Sequence, residues 1–142
     1  ELDLSDLDEL PKVLKQLNNS IEHLDGIICN VGKGLFGSLE EFSFAQIRSL
    51  IDLNFLSHVY IVKAFLPRLK LQGSGTLIFI GSEAALAGKR QGTLYCASKF
   101  ALRGFVQALR DECSTSGVGV CLVNPGMVLT EFFDELSFAP GT

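Results

Sequence analysis

Three short apolar runs constrain this chain more than any other feature, because none of them alternates with polar residues. They are Gly26-Ile27-Ile28-Cys29-Asn30-Val31, Thr76-Leu77-Ile78-Phe79-Ile80 and Val118-Gly119-Val120-Cys121-Leu122-Val123. A strand with one wet face alternates. A continuous run rich in β-branched residues suits a strand covered on both faces, as in a parallel sheet. Helical patterns separate the runs. Leu7, Leu10, Leu14 and Leu17 recur at helical spacing from Ser5 to Leu17, with Ser5 or Asp6 as N-cap and Pro11 tolerable only in the first turns. Phe44, Ile47, Ile51, Phe55, Val59 and Val62 form one stripe of a long helix that ends near Leu71, before Gly73-Ser74-Gly75. Pro67 is expected to mark a kink or last turn of that helix. Ala101, Leu102, Phe105, Val106 and Leu109 make the stretch from Tyr95 to Cys113 helical. Alternating helix and strand predicts an α/β fold with parallel strands and right-handed crossovers.

At 142 residues the chain has room for one domain, and 47% hydrophobic content supplies a core without disulfides. Twelve basic against sixteen acidic residues give a net charge of −4, with no basic cluster to suit nucleic acid or an anionic membrane. The apolar runs fall short of the ~20 residues that cross a bilayer, and the acidic Glu1-Leu2-Asp3-Leu4 is no signal peptide. Glu1 in place of Met and the ending Gly141-Thr142 read as cut ends, so a fragment is expected. Cys29, Cys96, Cys113 and Cys121 form no Cys-x-x-Cys pair, and His23 and His58 have no metal-ligand spacing. Reduced thiols in a cytoplasmic protein without a metal site are the expectation.

Each apolar run ends in a small or polar cluster: Asn30-Val31-Gly32-Lys33-Gly34, Gly81-Ser82-Glu83 and Asn124-Pro125-Gly126. One such cluster is a turn. Three at one edge of a parallel sheet suggest a cleft, since ligands of open α/β sheets bind outside the carboxyl ends of the strands. Asn54 interrupts an apolar stripe between Ile51, Phe55 and Val59. It either serves a site or bonds a neighbouring carbonyl, because an unpaired buried amide costs about 1–3 kcal/mol. His58, one turn on, reads as a satisfied core or edge histidine. Tyr95 and Lys99 share a helix face at i, i+4. An ammonium beside a phenol is expected to lower its pKa and make a proton donor usable near neutrality. Alone, that pair is a weak signal.

Together these residues resemble the short-chain dehydrogenase/reductase family. Ser82 is followed by Tyr95-Cys96-Ala97-Ser98-Lys99, then by Asn124-Pro125-Gly126 and Thr130. Asn30-Val31-Gly32 stands where the family usually has Asn-Ala-Gly, with Val31 a departure. Asn54 in Asp52-Leu53-Asn54-Phe55 stands at the family's catalytic Asn, and Asp3-Leu4 matches the pair that ends the family's third strand and touches the adenine ring. The resemblance spans the chain in order. It implies a partial Rossmann-like, doubly wound parallel sheet of three recognisable strands with flanking helices. It also implies one incomplete domain over residues 1–142, lacking the Gly-rich N-terminal cofactor half and the C-terminal end.

The resemblance further implies reversible hydride transfer between NAD or NADP and a small-molecule carbonyl or alcohol. Tyr95 would be the general acid/base, Lys99 would lower its pKa and hold the nicotinamide ribose, Ser82 would bond the substrate oxygen, and Asn54 would hold a relay water. Asp3, Leu4, Asn30, Gly32, Pro125, Gly126, Val128 and Thr130 would join Tyr95 and Lys99 in binding cofactor. Phe36, Leu86, Met127, Phe132 and Phe133 would line an apolar substrate pocket. The helices from Phe44 and from Tyr95 would build a homodimer or homotetramer; nucleic acid and membrane are not implied as partners. No Gly-x-x-x-Gly-x-Gly turn opens a helix here, so the isolated chain is expected to bind cofactor weakly, turn over nothing and expose an apolar strand edge. Two further readings remain: a catalytically silent NAD(P)-sensing regulator, and a sugar-nucleotide epimerase or dehydratase sharing the Tyr/Lys pair.

Overall fold

The computed structural model describes residues 2–126 and 128. The elements are α1 (Leu10–Ser20), β1 (Gly26–Cys29), α2 (Phe44–Ile51), a π-helical segment (Asp52–Leu56), α3 (Ser57–Gln72), β2 (Thr76–Ile80), α4 (Thr93–Glu112) and β3 (Gly119–Val123). The strands form one parallel sheet in the order β1-β2-β3, with Gly26 opposite Thr76 and Thr76 opposite Gly119. The α/β alternation expected of the sequence is therefore the fold.

Helix boundaries follow local hydrogen bonding. α1 begins at Leu10, later than the leucine spacing suggests, because the preceding residues turn on themselves. The Asp6 carboxylate accepts from the backbone N–H groups of Asp8 and Glu9, and the Leu10 N–H reaches the Asp6 carbonyl. Pro11 then falls at a helix position where its missing N–H costs nothing. α2 starts at a capping box: Ser43 Oγ accepts from the Gln46 N–H, and the Gln46 side chain accepts from the Ser43 N–H. From Phe44 the chain stays helical to Gln72 and stops at Gly73, whose φ is 68°. Pro67 lies inside α3 and does not end it, contrary to its reading as a last turn.

The core lies between the sheet and the layer of α3 and α4. Leu77 and Phe79 of β2 are fully buried against Val62 and Leu69 of α3 and Leu102 and Val106 of α4. Phe105 meets Phe79 edge-on at 6.1 Å between ring centroids. A second cluster joins Leu10 and Leu14 of α1 to Phe65 of α3. Arg68 fastens that junction by donating to both Oδ1 and the carbonyl of Asn18. The stretch Phe44–Gln72 is long and apolar enough by length and composition to cross a bilayer. Here its apolar side, through Val62, Phe65 and Leu69, is spent on the two core clusters.

On the sheet's other face the apolar residues of the three runs are left uncovered. Ile28, Ile78 and Cys121 stand in register across it, and no element among the described residues covers them. The expectation of strands covered on both faces is met on one face only. Ile28 is 68% exposed on β1, an edge strand. Such an edge invites pairing with another chain. Phe79→Ala should therefore cost about 3–5 kcal/mol in denaturant melts. Ile28→Ser should cost no more than about 0.5–1 kcal/mol and should reduce the association of the chain measured by light scattering.

Candidate functional site

The carboxyl ends of the three strands carry the polar clusters, and the structure ties them together. The Gly81 N–H donates to the Val123 carbonyl, the Ser82 N–H to Asn124 Oδ1 and the Glu83 N–H to the Pro125 carbonyl. A Cβ on Gly81 would collide with Asn124 Oδ1, so this close approach requires glycine. Arg103 of α4 reaches back to the Ala85 carbonyl at 3.0 Å and holds the short turn after Ser82. In the sequence Asn124 stands out only within the Asn124-Pro125-Gly126 cluster, with no role of its own, and Arg103 does not stand out.

Within this frame Ser82 and Tyr95 meet. Ser82 Oγ accepts from the Ala84 N–H at 3.1 Å, and its hydroxyl is close enough to the Tyr95 phenol to draw the phenol's pKa down. Tyr95 sits in the first turn of α4 and is buried, with Phe36 packed against its ring at 5.1 Å. Lys99, one turn on, is 6% exposed. Its ammonium lies over the Tyr95 ring, 5.8 Å from the centroid, and donates to the Ile80 carbonyl at 3.1 Å. The i, i+4 face thus brings the pair together as the spacing suggests.

The electrostatics differ from the expectation. Burial pushes the Tyr95 phenol above its usual value; the Ser82 hydrogen bond acts against that, and Cys96 adds to it. Burial also depresses Lys99, to about 8. Ser82 draws the phenol downward against the effect of burial, while the Lys99 ammonium sits over the ring and donates to the Ile80 carbonyl.

Asn54 gathers the second half of the site. The Ser57 N–H bonds the Asp52 carbonyl five residues back, and this widened turn carries Asn54. The amide is fully buried. Its Oδ1 accepts from the Lys33 N–H, and its Nδ2 donates to the Lys33 carbonyl, both at 2.9 Å, and to Ser98 Oγ at 3.2 Å. Ser98 in turn donates to the Tyr95 carbonyl. The amide is thereby a clamp between the loop after β1 and α4. The sequence posed it as a site residue or a carbonyl partner, and its side chain does the latter. Gly32 lies against it: a Cβ there would stand 3.3 Å from Asn54 Oδ1 and 3.8 Å from Lys99 Nζ.

The other expected residues scatter by degree. Asn30 and Gly126 are exposed, Pro125 is half-buried, and Val128 is 56% exposed, all at the carboxyl edge of the sheet. Asp3 is exposed and its carboxylate accepts from the Ser5 N–H and hydroxyl, which hold it below its ordinary pKa. Leu4 packs against the cluster of Leu10, Leu14 and Phe65. Thr130, Met127, Phe132 and Phe133 lie outside the described residues. A cavity of about 460 Å³ between α1 and α3, lined by Leu14, Lys15, Tyr60 and Lys63 among others, shares no residue with this cluster.

Asn54→Ala should leave both Lys33 groups without their partner and cost about 1–3 kcal/mol in urea melts, with Asn54→Leu no better. Lys99 supplies a pH test. Its pKa in the fold, about 8, is below the free value of 10.5, so the unfolded chain holds the extra proton between those values. Stability should rise across that window relative to a Lys99→Met variant, by at most about 1.4 kcal/mol per pH unit. Equal urea midpoints for the two proteins from pH 7 to 10 would contradict this burial.

The profile of the short chain dehydrogenase family matches residues 1–139. The chain is 37% identical over 118 residues to mouse 17-beta-hydroxysteroid dehydrogenase type 1, covering 83% of this chain and 34% of that protein. It is 39% identical over 113 residues to human retinol dehydrogenase 8, covering 80% and 36%. It spans about a third of the length of these curated relatives. Among solved structures, a gluconate 5-dehydrogenase from Beutenbergia cavernae with bound NADP, so described as putative, superposes with a TM-score of 0.88 at 30% identity, over 93% of this chain and 53% of that one. A Sphingobium yanoikuyae short-chain dehydrogenase in complex with NADPH gives 0.86 at 26%, over 93% and 52%. With the family profile running nearly end to end over a parallel sheet that sets Ser82 beside Tyr95 at its carboxyl edge, this chain belongs to the short-chain dehydrogenase family.

Proposed function

We propose that this chain is the central, catalytic part of an NAD(P)-dependent oxidoreductase that interconverts an alcohol and a carbonyl. The observation that carries the proposal is the Ser82 hydroxyl beside the buried Tyr95 phenol, close enough to lower its pKa, at the carboxyl edge of a parallel sheet. Two neighbouring hydroxyls can grip one substrate oxygen between them. Ser82 would orient that oxygen, and Tyr95 would give or take its proton. Because burial keeps the phenol protonated at neutral pH, the resting site is set to donate, which is the reductive direction.

The chain's residues fit the nicotinamide end of such a cofactor. Lys99 is a buried ammonium that donates to the Ile80 carbonyl. It can donate further to ribose hydroxyls, and Gly32 keeps the space beside it free of a side chain. Pro125, Gly126 and Val128 border the same edge. When bound, the cofactor supplies the hydride. Several superposing structures hold NADP or NADPH, which supports NAD(P) here.

For the substrate we infer a bulky apolar alcohol or ketone. Phe36 stacks on Tyr95 and Leu86 is 54% exposed beside the Ser82 turn. Curated relatives are named for a hydroxysteroid and for retinol. A silent cofactor sensor would have no need of a serine set beside the tyrosine, and nothing favours that reading.

In the full-length protein, Tyr95→Phe should lower kcat by about 10²–10⁴ and leave NADPH binding within a few-fold in fluorescence titration. Ser82→Ala should lower kcat and also move the acid–base limb of the rate profile to higher pH, since it removes the group that draws the phenol down. Full turnover by Tyr95→Phe on steroid, retinoid and small aliphatic carbonyls alike would end the proposal.

A further inference from the structure

His58 sits four residues after Asn54, at the start of α3, and is 2% exposed. Its Nε2 is 2.8 Å from the Val31 carbonyl oxygen. A carbonyl can only accept, so Nε2 carries the proton and donates. Nδ1 has no hydrogen-bond partner among the described residues. Burial and the nearby Lys99 ammonium hold the ring below its ordinary pKa, against the pull of the Val31 bond, so it is neutral with a bare Nδ1. A helix that needed only to pack would place Leu or Phe here and avoid the cost of an orphaned buried acceptor. The imidazole must therefore be retained for what Nε2 does.

What Nε2 does is fix the loop after β1. That loop leaves the sheet at Asn30 and has no ladder partner of its own. Val31 is held by His58, and Lys33 two residues on is held at both backbone groups by Asn54. Between those two anchors lies Gly32, the residue that borders Lys99 Nζ. Both anchors come from one face of the same helical stretch, one turn apart. A loop pinned on either side of Gly32 has a single backbone path past the lysine.

We propose that His58 is a positioning residue: its Nε2–H, bonded to the Val31 carbonyl, locks the Asn30–Lys33 loop in the path that sets NAD(P) affinity. The proposal rests on the cofactor reading above. Val31 itself, where the family usually has Ala, presents only its carbonyl to this contact; its side chain is 44% exposed.

The test compares three forms of the full-length protein: wild type, His58→Leu and His58→Gln. Leucine keeps apolar bulk and removes the donor. Glutamine places an amide N–H at about the reach of the imidazole Nε2. The probes are NADPH titration, steady-state kinetics and hydrogen exchange of the peptide covering residues 30–34. His58→Leu should raise the NADPH Kd and KM about tenfold, change kcat less than threefold, and speed exchange of the Lys33 amide at least tenfold. His58→Gln should return all three to within threefold of wild type. A folded His58→Leu protein with unchanged Kd and exchange overturns the proposal. So does a His58→Gln protein that behaves like His58→Leu, or a loss confined to Tm and kcat with Kd intact. A wild type that binds NADPH and turns over nothing defeats the oxidoreductase reading alone; one that binds no NADPH defeats both.

Discussion

One buried amide joins the two halves of the site. Asn54 spends two donors and one acceptor on the Lys33 backbone and the Ser98 hydroxyl, and Ser98 passes the connection to Tyr95. Each bond contributes only about 1 kcal/mol net, but Asn54 and Ser98 are fully buried, and leaving a buried group unpaired costs about 1–3 kcal/mol. That asymmetry makes the position intolerant without making it a large source of stability. The π turn at Asp52–Leu56 carries it, and Asn54, Ser57 and His58, at i, i+3 and i+4, are all buried on one side of the helical stretch. The poorer geometry of the wide turn is offset by the bonds it permits: Ser57 Oγ itself donates to the Leu53 carbonyl at 2.6 Å.

The same burial that makes these bonds strong discharges the acid–base pair. Tyr95 is pushed up and Lys99 down, each toward its neutral form, because a charge loses hydration that the site does not replace. Helix spacing places the two side chains on one face but does not fix the direction in which a flexible lysine points. Here the Ile80 carbonyl captures it. Ser82 tilts the tyrosine toward acidity. Catalytic tuning in this frame is therefore a matter of what bonds the phenol oxygen, more than of what charge lies nearby.

Much of this was legible in the residues. β2 runs from Thr76 to Ile80 as the apolar run does, and α4 extends the Tyr95–Cys113 stripe by two residues at its start. These are long or β-branched segments whose pattern no tertiary contact needs to override. β1 and β3 are each shorter than the runs that announced them, since Asn30, Val31 and Val118 lie where the ladder has ended or not begun. The early start expected for α1 failed because Asp6 caps a separate turn. The grouping of Asn54, Tyr95 and Lys99 was legible as chemistry. The wide turn was not, since it depends on partners in the Lys33 loop and α4 that are far off in sequence. Nor was the phenol's upward shift, which depends on burial depth.

A common physical cause links the residues that sequence reading found with those it missed. The loops at the carboxyl edge of a parallel sheet leave the hydrogen-bonded ladder, so their buried N–H and C=O groups must be paired by something else. In this chain, side chains on the elements around them do that work. Asn54 pairs Lys33, His58 pairs Val31, Lys99 pairs Ile80, Arg103 pairs Ala85 and Asn124 pairs Ser82. Four of the five come from helices, where a polar residue can interrupt a face that packing alone would fill with carbon. Asn54 showed as such an interruption because it lies within the apolar stripe of Ile51, Phe55 and Val59. Arg103 lies on no such stripe, and its target, the Ala85 carbonyl, is 18 residues away in sequence. A polar residue within an apolar stripe is thus the trace, in one dimension, of a loop that needs a partner in three.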